Sequence, residues 1–240
     1  LNLPGTAYHL ALSSTGNLIA SGESGLGIYR REGDMLVEVA TMRTSSPALQ
    51  TLATGERMYT ALGSGGLLVS DLSAPEAPTP LFIYTSPLGR FVADMYLWPN
   101  GRLFVAWENG VELLDTTSSS AGETASTAGP RLLNVIPLAD GPVRSVTISE
   151  DGSLASAALG DEGIALLDLA DVRAPVLQDR LGISGTALDS VFAGDNLYVA
   201  TGRCGLQAFA PSAGETLTPI ARWRGMFLSD HDPLKSHQPR

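Results

Sequence analysis

Five polar side chains recur near the start of five short segments in which apolar and polar residues alternate. They supply an imidazole, an amide, a guanidinium and two carboxylates, at His9, Gln50, Asp94, Arg144 and Asp189. If the five segments surround one axis, these side chains converge at its mouth, where they could bind a small polar ligand or a cation. The simpler interpretation is a water-filled channel lined by ordinary polar groups.

Other catalytic signatures are missing from the sequence, and no catalytic residue is assigned. His9 is the only histidine before position 231, and neither a Gly-x-Ser-x-Gly elbow nor a phosphate-binding loop occurs. The single cysteine, Cys204, excludes an internal disulfide and a cysteine-rich metal site. Arg203 beside it could lower the pKa of the thiol, but a lone thiol on a turn is more often inert. No cofactor is therefore predicted.

The five segments belong to a unit that the chain repeats five times. Each copy has a glycine directly before an apolar run, at Gly25, Gly66, Gly110, Gly163 and Gly205. Successive differences between these positions are 41, 44, 53 and 42. The long third interval contains a Ser-, Thr-, Ala- and Gly-rich insert at 116–129, which is typical of a surface loop. Positive φ is expected at these tight turns, above all at Gly66 and Gly163.

Each copy contains four predicted β-strands separated by Gly-, Asn- and Asp-rich turns. The first strands are 8–12, 48–52, 93–97, 143–148 and 188–192, and the second are 18–21, 58–61, 103–106, 154–157 and 197–200. The third strands are 26–29, 67–70, 111–114, 164–167 and 206–209, and the fourth are 36–40, 81–84, 132–138, 176–181 and 218–223. The third is nearly continuous in apolar residues, as a strand buried on both faces should be.

Four antiparallel strands every 40 to 45 residues, without amphipathic helices, are typical of a β-propeller. The predicted fold is all-β, a β-propeller of four-stranded blades at about 4–44, 45–87, 88–139, 140–184 and 185–224. These five blades could be part of a larger propeller. A two-sheet sandwich is the alternative, but it does not explain the repeated glycine turn. Residues 225–240 contain no repeat and are predicted to be extended or disordered.

The turns between second and third strands should reach the face at which the channel opens. They form a predicted interaction face that is acidic with one aromatic residue: Glu23, Trp107, Glu108, Asn109, Asp161, Glu162 and Arg203. An exposed Trp107 would be a suitable anchor for a partner protein. Alternatively, Trp107 packs between blades. Calcium could bind near Asp161, but oxygen sites need six to eight ligands and no Asp-rich loop of the required spacing occurs.

The segments LLVSDLSAPEAP and IALLDLADVRAP resemble the LVIVD repeat, a propeller family found largely in bacterial surface and secreted proteins. Copies two and four have both an aspartate and a proline seven positions later, whereas copy three keeps only VELLD. The resemblance implies an interaction or scaffold domain and an extracytoplasmic location. Asp71, Asp115 and Asp168 are interpreted structurally, as acceptors for the backbone N–H two residues ahead.

Composition restricts the classes of partner. The chain has 25 acidic and 15 basic residues and a net charge of −10, so its field repels nucleic acid and anionic membranes. No run of eighteen apolar residues occurs, and the first residues do not resemble a signal peptide. Because the sequence does not begin with Met, a mature product or an excised piece is expected.

Two functional hypotheses remain. The first is a non-enzymatic scaffold domain that presents the interaction face to a protein partner within a cell-surface assembly. The alternative is a propeller hydrolase that resembles lactonases, using His9, Asp94 and Asp189 around a cation at the channel.

Overall fold

A computed structural model describes residues 5–98, 101–117, 129–138, 141–211 and 217–223. Within these ranges the chain forms twenty β-strands, arranged as five four-stranded antiparallel sheets. The predicted all-β fold of five blades is thereby confirmed. The predicted tail at 225–240 and most of the insert at 116–129 lie outside the described residues.

Each blade contains four consecutive strands. Blade 1 contains β1 (Ala7–Leu12), β2 (Leu18–Gly22), β3 (Gly25–Glu32) and β4 (Met35–Met42), and blade 2 contains β5 (Gln50–Thr54), β6 (Arg57–Ala61), β7 (Leu67–Asp71) and β8 (Thr79–Tyr84). Blade 3 contains β9 (Val92–Trp98), β10 (Arg102–Trp107), β11 (Gly110–Asp115) and β12 (Arg131–Pro137). Blade 4 contains β13 (Ser145–Ile148), β14 (Leu154–Ala158), β15 (Ile164–Asp168) and β16 (Val176–Leu181). Blade 5 contains β17 (Asp189–Ala193), β18 (Asn196–Ala200), β19 (Leu206–Pro211) and β20 (Leu217–Trp223).

Burial follows the position of a strand within its blade. The second and third strands of blades 1 to 4 are buried for most of their length, and the fourth strands are mostly exposed or half-buried. Apolar side chains from adjacent blades pack together, as in the cluster that joins Tyr59 and Val69 of blade 2 to Val105 and Leu114 of blade 3. The core therefore consists of layers between blades, which a radial arrangement of sheets requires.

One backbone hydrogen bond recurs at all four junctions between successive blades. The N–H at the start of one blade donates to a carbonyl at the end of the preceding blade's second strand or in the turn that follows it. The donor and acceptor pairs are Ala48 to Gly22, Val92 to Gly63, Val143 to Trp107, and Ala187 to Gly160, at 2.8 to 3.2 Å. This bond places the turn after each second strand beside the start of the next first strand. The turns and the channel mouth therefore share one face of the molecule.

The two end strands of the array expose apolar side chains. On β1, Tyr8, Leu10 and Leu12 are 48%, 57% and 68% exposed, and Val191 on β17 is 55% exposed. The first strands contact one another in the order β1, β5, β9, β13 and β17. Among the described residues no extensive contact joins β17 to β1. A larger propeller stays a prediction.

The aspartates at the ends of three third strands close the turn that follows. Each accepts a hydrogen bond from the N–H two residues ahead: Ser73 to Asp71 at 2.8 Å, Thr117 to Asp115 at 2.9 Å, and Ala170 to Asp168 at 2.7 Å. The Ser73 N–H holds the pKa of the Asp71 carboxyl below its usual value. The structural interpretation of these aspartates is confirmed.

Replacing one of these acceptors should cost a small, measurable amount of stability. We expect Asp168→Ala to lower the free energy of unfolding by about 1 kcal/mol, because the Ala170 N–H loses its acceptor. Asp168→Asn is the matched control, because its side-chain carbonyl can still accept this bond. Urea unfolding followed by circular dichroism gives both values. An Asp168→Ala variant as stable as the wild type would contradict the structural role.

Candidate functional site

One structural position at the start of each first strand carries a polar side chain. The strand pairings place His9 opposite Ser21, Gln50 opposite Ala61, Asp94 opposite Ala106, Ser145 opposite Ala158, and Asp189 opposite Ala200. These five partner residues occupy equivalent positions in the second strands. Each of them is also paired with the third-strand residue that directly follows the repeated glycine. We call His9, Gln50, Asp94, Ser145 and Asp189 the channel ring.

The prediction of Arg144 as the ring residue of blade 4 is wrong by one residue. Successive side chains of a strand point to opposite faces, so a shift of one residue exchanges the two faces. Ser145 occupies the ring position, and the side chain of Arg144 is exposed and lies over Gly160. The other four predicted residues occupy the ring, and ligand binding by them stays a prediction.

Hydrogen bonds connect three of the ring side chains, those of Gln50, Asp94 and Ser145, to the following blade. Gln50 Nε2 donates to the Met95 carbonyl at 3.0 Å, and Asp94 Oδ2 accepts from the Val146 N–H at 3.0 Å. Ser145 Oγ donates to Asp189 Oδ1 at 2.6 Å. These contacts join the ring positions of blades 2 to 5.

Burial changes the acid–base properties of two ring residues. Burial raises the pKa of the Asp94 carboxyl, the nearby Asp189 charge adds to this rise, and the Val146 N–H opposes it. Burial lowers the pKa of His9, which favours the neutral imidazole. A neutral imidazole can accept a proton, and a carboxyl of raised pKa stays protonated to a higher pH than an ordinary aspartate, so the two groups are candidates for a base and an acid.

Two polar atoms of the ring lack hydrogen-bond partners. His9 Nδ1 and Gln50 Oε1 are both buried, and neither has a partner among the described residues. Such atoms are costly unless a water molecule or ligand satisfies them. The β1 and β5 strands that carry the two residues are in contact. This side of the ring is therefore where a bound polar molecule would gain most.

Within the described ranges, no group of three or more His, Cys, Asp or Glu side chains could hold a metal ion. Asp94 and Asp189 are already engaged by Val146 and Ser145. The cation of the hydrolase alternative thus has no ligand set among these residues.

The predicted interaction face is largely exposed, except at its proposed anchor. The exposed members are Glu23, Glu108, Asn109, Asp161, Glu162 and Arg203. Trp107 is 0% exposed, so the prediction of an exposed aromatic anchor is wrong. Its indole packs between blades 2 and 3 beside the Tyr84 ring, with ring centroids 6.1 Å apart. Two other members have local partners: Asp161 accepts from Thr186 at 2.6 Å, and Glu162 pairs with Arg180 at 3.3 Å.

Sequence reasoning missed a second polar cluster, on the same face. Glu112 of β11 is 0% exposed, and its Oε1 accepts a hydrogen bond from Ser86 Oγ at 2.5 Å. Beside it, a cavity of about 290 Å³ between blades 2 and 3 is lined in part by Tyr84, Ser86 and Trp107. The sequence signal that could have indicated this cluster was the acidic residue Glu112 within VELLD, a strand segment that is predicted to be buried on both faces.

Comparisons with known proteins identify the fold. No family model and no curated protein matches the sequence. Candidate 6-phosphogluconolactonases from Bacteroides uniformis and Bacteroides fragilis are similar in structure, with TM-scores of 0.69 and 0.70 and identities of 18% and 15%. For each, the match covers 91% of this chain and 71% of that chain. The β-propeller domain of Swd1 from Myceliophteria thermophila matches at a TM-score of 0.69 and 12% identity, covering 92% of this chain and 73% of that chain. The fold is a β-propeller.

These comparisons also correct the first functional hypothesis. We predicted a non-enzymatic scaffold domain, but two of the similar propellers are candidate lactonases. The described part of the chain contains no helix long and apolar enough to cross a membrane.

Proposed function

We propose that this propeller is a hydrolase that opens a lactone of a sugar acid at the channel ring. The observation that carries the proposal is the ring itself, which combines a neutral imidazole, a carboxyl of raised pKa and two unpartnered polar atoms. Similarity to the two candidate 6-phosphogluconolactonases supports the choice of a lactone. The reaction needs only water and general acid–base catalysis, so it does not require the metal ligands that the described residues lack.

The chemistry assigns a role to each ring residue. A water oxygen bonds to the lactone carbonyl carbon, and His9 accepts the proton that the water loses. The tetrahedral intermediate then collapses, the bond from the carbonyl carbon to the ring oxygen breaks, and Asp94 donates a proton to that oxygen. The product is an open hydroxy acid. Gln50 Oε1 is free to accept a hydrogen bond from a substrate hydroxyl. Ser145 and Asp189 are positioning residues that hold this side of the ring.

Arg144 gives the site a positive charge. Its exposed side chain is outside the ring and lies over Gly160 in the turn after β14, from where it can pair with an anionic group that projects from the ring. The rest of the chain carries a net negative charge, which disfavours anions in general. A local arginine would therefore select lactones whose anionic group lies close to the ring.

The remaining sequence predictions stay proposals. The turn aspartates support LVIVD-type repeats, but no family model matches the sequence. An extracytoplasmic location rests only on that resemblance. Apolar exposure on β1 and β17, together with the match to 71% to 73% of the similar chains, supports a larger propeller.

The proposal predicts lactone-opening activity. We expect the purified chain to accelerate proton release from 6-phosphogluconolactone or from glucono-δ-lactone, because each opening yields one carboxylic acid. A pH indicator in weak buffer follows the rate, and spontaneous opening is subtracted with heat-unfolded protein as the control. EDTA should leave the rate unchanged. The absence of any protein-dependent rate with both lactones would contradict the proposal.

A further inference from the structure

We propose that the Glu112 carboxyl is a pH-sensitive latch that holds the connection between blades 2 and 3 closed while the carboxyl is protonated. The connection consists of residues 85–91 and joins β8 to β9. When Glu112 loses its proton, the hydrogen bonds that hold this connection break and water enters the junction. The channel ring takes no part in this change, so the inference does not depend on lactone opening.

Glu112 lies in the apolar layer between blades 2 and 3, where it is 0% exposed. The residues paired with it on the two adjacent strands are Val105 of β10 and Val135 of β12. Directly paired residues have their side chains on the same face of a sheet, and both valines pack in the apolar cluster that joins the two blades. The carboxyl is therefore surrounded by apolar groups, where a negative charge is costly.

The hydrogen-bond donors around the carboxyl are neutral. They are the hydroxyls of Ser86 and Tyr84 and the indole N–H of Trp107. The charged side chains of the neighbouring segments, Arg90 in the connection and Glu108 after β10, are exposed, and among the described residues no ion pair includes Glu112. Burial raises the pKa of the Glu112 carboxyl above its usual 4.5, and the three donors offset only part of that rise. Burial also raises the pKa of Tyr84, so its hydroxyl stays a donor.

The other four blades have no ionisable residue at this position. The strand pairings make the equivalents of Glu112 in blades 1, 2, 4 and 5 Gly27, Leu68, Ala165 and Gln207. In blade 5 the neutral amide of Gln207 holds the incoming connection, because its Nε2 donates to the Ser184 carbonyl at 2.8 Å. The fold thus accepts an amide here, and a buried carboxyl is costlier than a buried amide. Holding the connection does not by itself explain a carboxyl, whereas a response to pH does.

A chain of hydrogen bonds joins the carboxyl to the connection and to the next blade junction. Ser86 Oγ donates to Glu112 Oε1 and accepts from the Leu88 N–H at 2.9 Å. The Leu88 carbonyl accepts from the Asn109 N–H at 3.1 Å, and the Asn109 carbonyl accepts from the Leu138 N–H at 3.1 Å. A cavity of about 290 Å³ lies on the other side of the connection, so a small displacement lets water reach an ionised carboxyl. The bonds of Leu88 and Asn109 should break first.

Amide hydrogen exchange of the full chain tests the latch, with each rate expressed as a protection factor that corrects for the intrinsic effect of pH. From about pH 5 to about pH 8 the protection of the Leu88 and Asn109 amides should fall about tenfold or more, because a carboxyl whose pKa is raised by folding destabilises the closed state as pH rises through that pKa. The Ala48 amide, which bonds to Gly22 between blades 1 and 2, is the reference and should keep its protection. Protection of Leu88 and Asn109 that stays constant relative to Ala48 would overturn the proposal.

Two variants show which carboxyl is responsible. Glu112→Gln should remove the pH dependence of protection at Leu88 and Asn109, because an amide does not ionise, and it should fold as blade 5 does with Gln207. Glu108→Gln removes an exposed carboxyl from the adjacent turn and is the matched control, which should keep the wild-type pH dependence. A Glu112→Gln protein that still loses protection with rising pH would assign the effect to another group and refute the latch. If this variant does not fold, the comparison with Ala48 in the wild type still decides.

Discussion

Asp94→Asn should lower the rate of lactone opening by about 100-fold or more while leaving the fold intact. General acid catalysis contributes about 10²-fold to 10⁴-fold to such reactions, and an amide cannot donate and recover a proton in this way. Asn can still accept the Val146 N–H through its side-chain carbonyl, so the junction between blades 3 and 4 keeps its hydrogen bond. The measurement is proton release from the better lactone, together with the urea midpoint of each protein.

Asp195→Asn is the matched control. Asp195 is also an aspartate near the first strand of a blade, but it lies exposed in the turn after β17, away from the ring. It should keep wild-type activity. An Asp94→Asn protein that retains most of its activity would exclude Asp94 as the proton donor. Equal losses of activity in Asp94→Asn and Asp195→Asn would show that the rate responds to the loss of a negative charge and not to the loss of the proton donor.

The pH profile separates a catalytic role from a structural one. Asp94 must be protonated to act as an acid, so activity should fall as pH rises through its pKa, which burial places above the usual value. His9 must be neutral, so activity should fall as pH decreases through its pKa, which burial places below 6.5. Asp94→Asn should remove the first dependence and keep the second. A merely structural aspartate would leave both unchanged.

The strands could be predicted because their determinants are local. Alternation, turn residues and the repeated glycine are all encoded within a few positions, and each of the twenty predicted strands overlaps an observed one. The ring residue of blade 4 could not be fixed in this way. Arg144 and Ser145 are both polar and adjacent, and only the pairing of Ser145 with Ala158 determines which of them occupies the ring.

The cavity between blades 2 and 3 depends on contacts that are distant in the sequence. Glu112 meets Ser86 across 26 residues, and Trp107 packs on Tyr84 of the preceding blade. The sequence predicts Trp107 in the turn after the second strand, whereas it is the last residue of β10, and local pattern does not tell whether its side chain faces solvent or the neighbouring blade. The burial of the Trp107 side chain depends on how closely the sheets of blades 2 and 3 approach each other. The pattern of neighbouring residues in the sequence does not determine this distance.

Gly163→Val should lower the free energy of unfolding by roughly 2 to 6 kcal/mol, because two separate costs add at this position. Gly163 has a φ of +87°, which costs a β-branched residue about 1 to 3 kcal/mol. A Cβ there would also collide with the Leu181 carbonyl oxygen of the adjacent strand, and such overpacking adds about 1 to 3 kcal/mol. Urea unfolding provides the measurement, and Gly163→Ala, with the same collision and less bulk, serves if the valine variant does not fold.

Gly194→Val separates the two causes. Gly194 also has a positive φ, +57°, but a Cβ there would meet nothing within 4 Å. We expect it to lose only the conformational part, about 1 to 3 kcal/mol. Equal losses at the two positions would mean that close packing against Leu181 does not matter.

A substitution at Gly163 should also destabilise the start of blade 5. The Gly160 carbonyl accepts both the Gly163 N–H at 3.2 Å and the Ala187 N–H at 2.8 Å, so one oxygen joins the turn of blade 4 to the start of blade 5. Amide hydrogen exchange at Ala187 should therefore speed up in Gly163→Ala more than at Ala48, whose acceptor Gly22 lies in blade 1. Equal protection at the two amides would show that blade junctions are independent of these turns. Faster exchange confined to Ala187 would show that the repeated glycine also holds successive blades together.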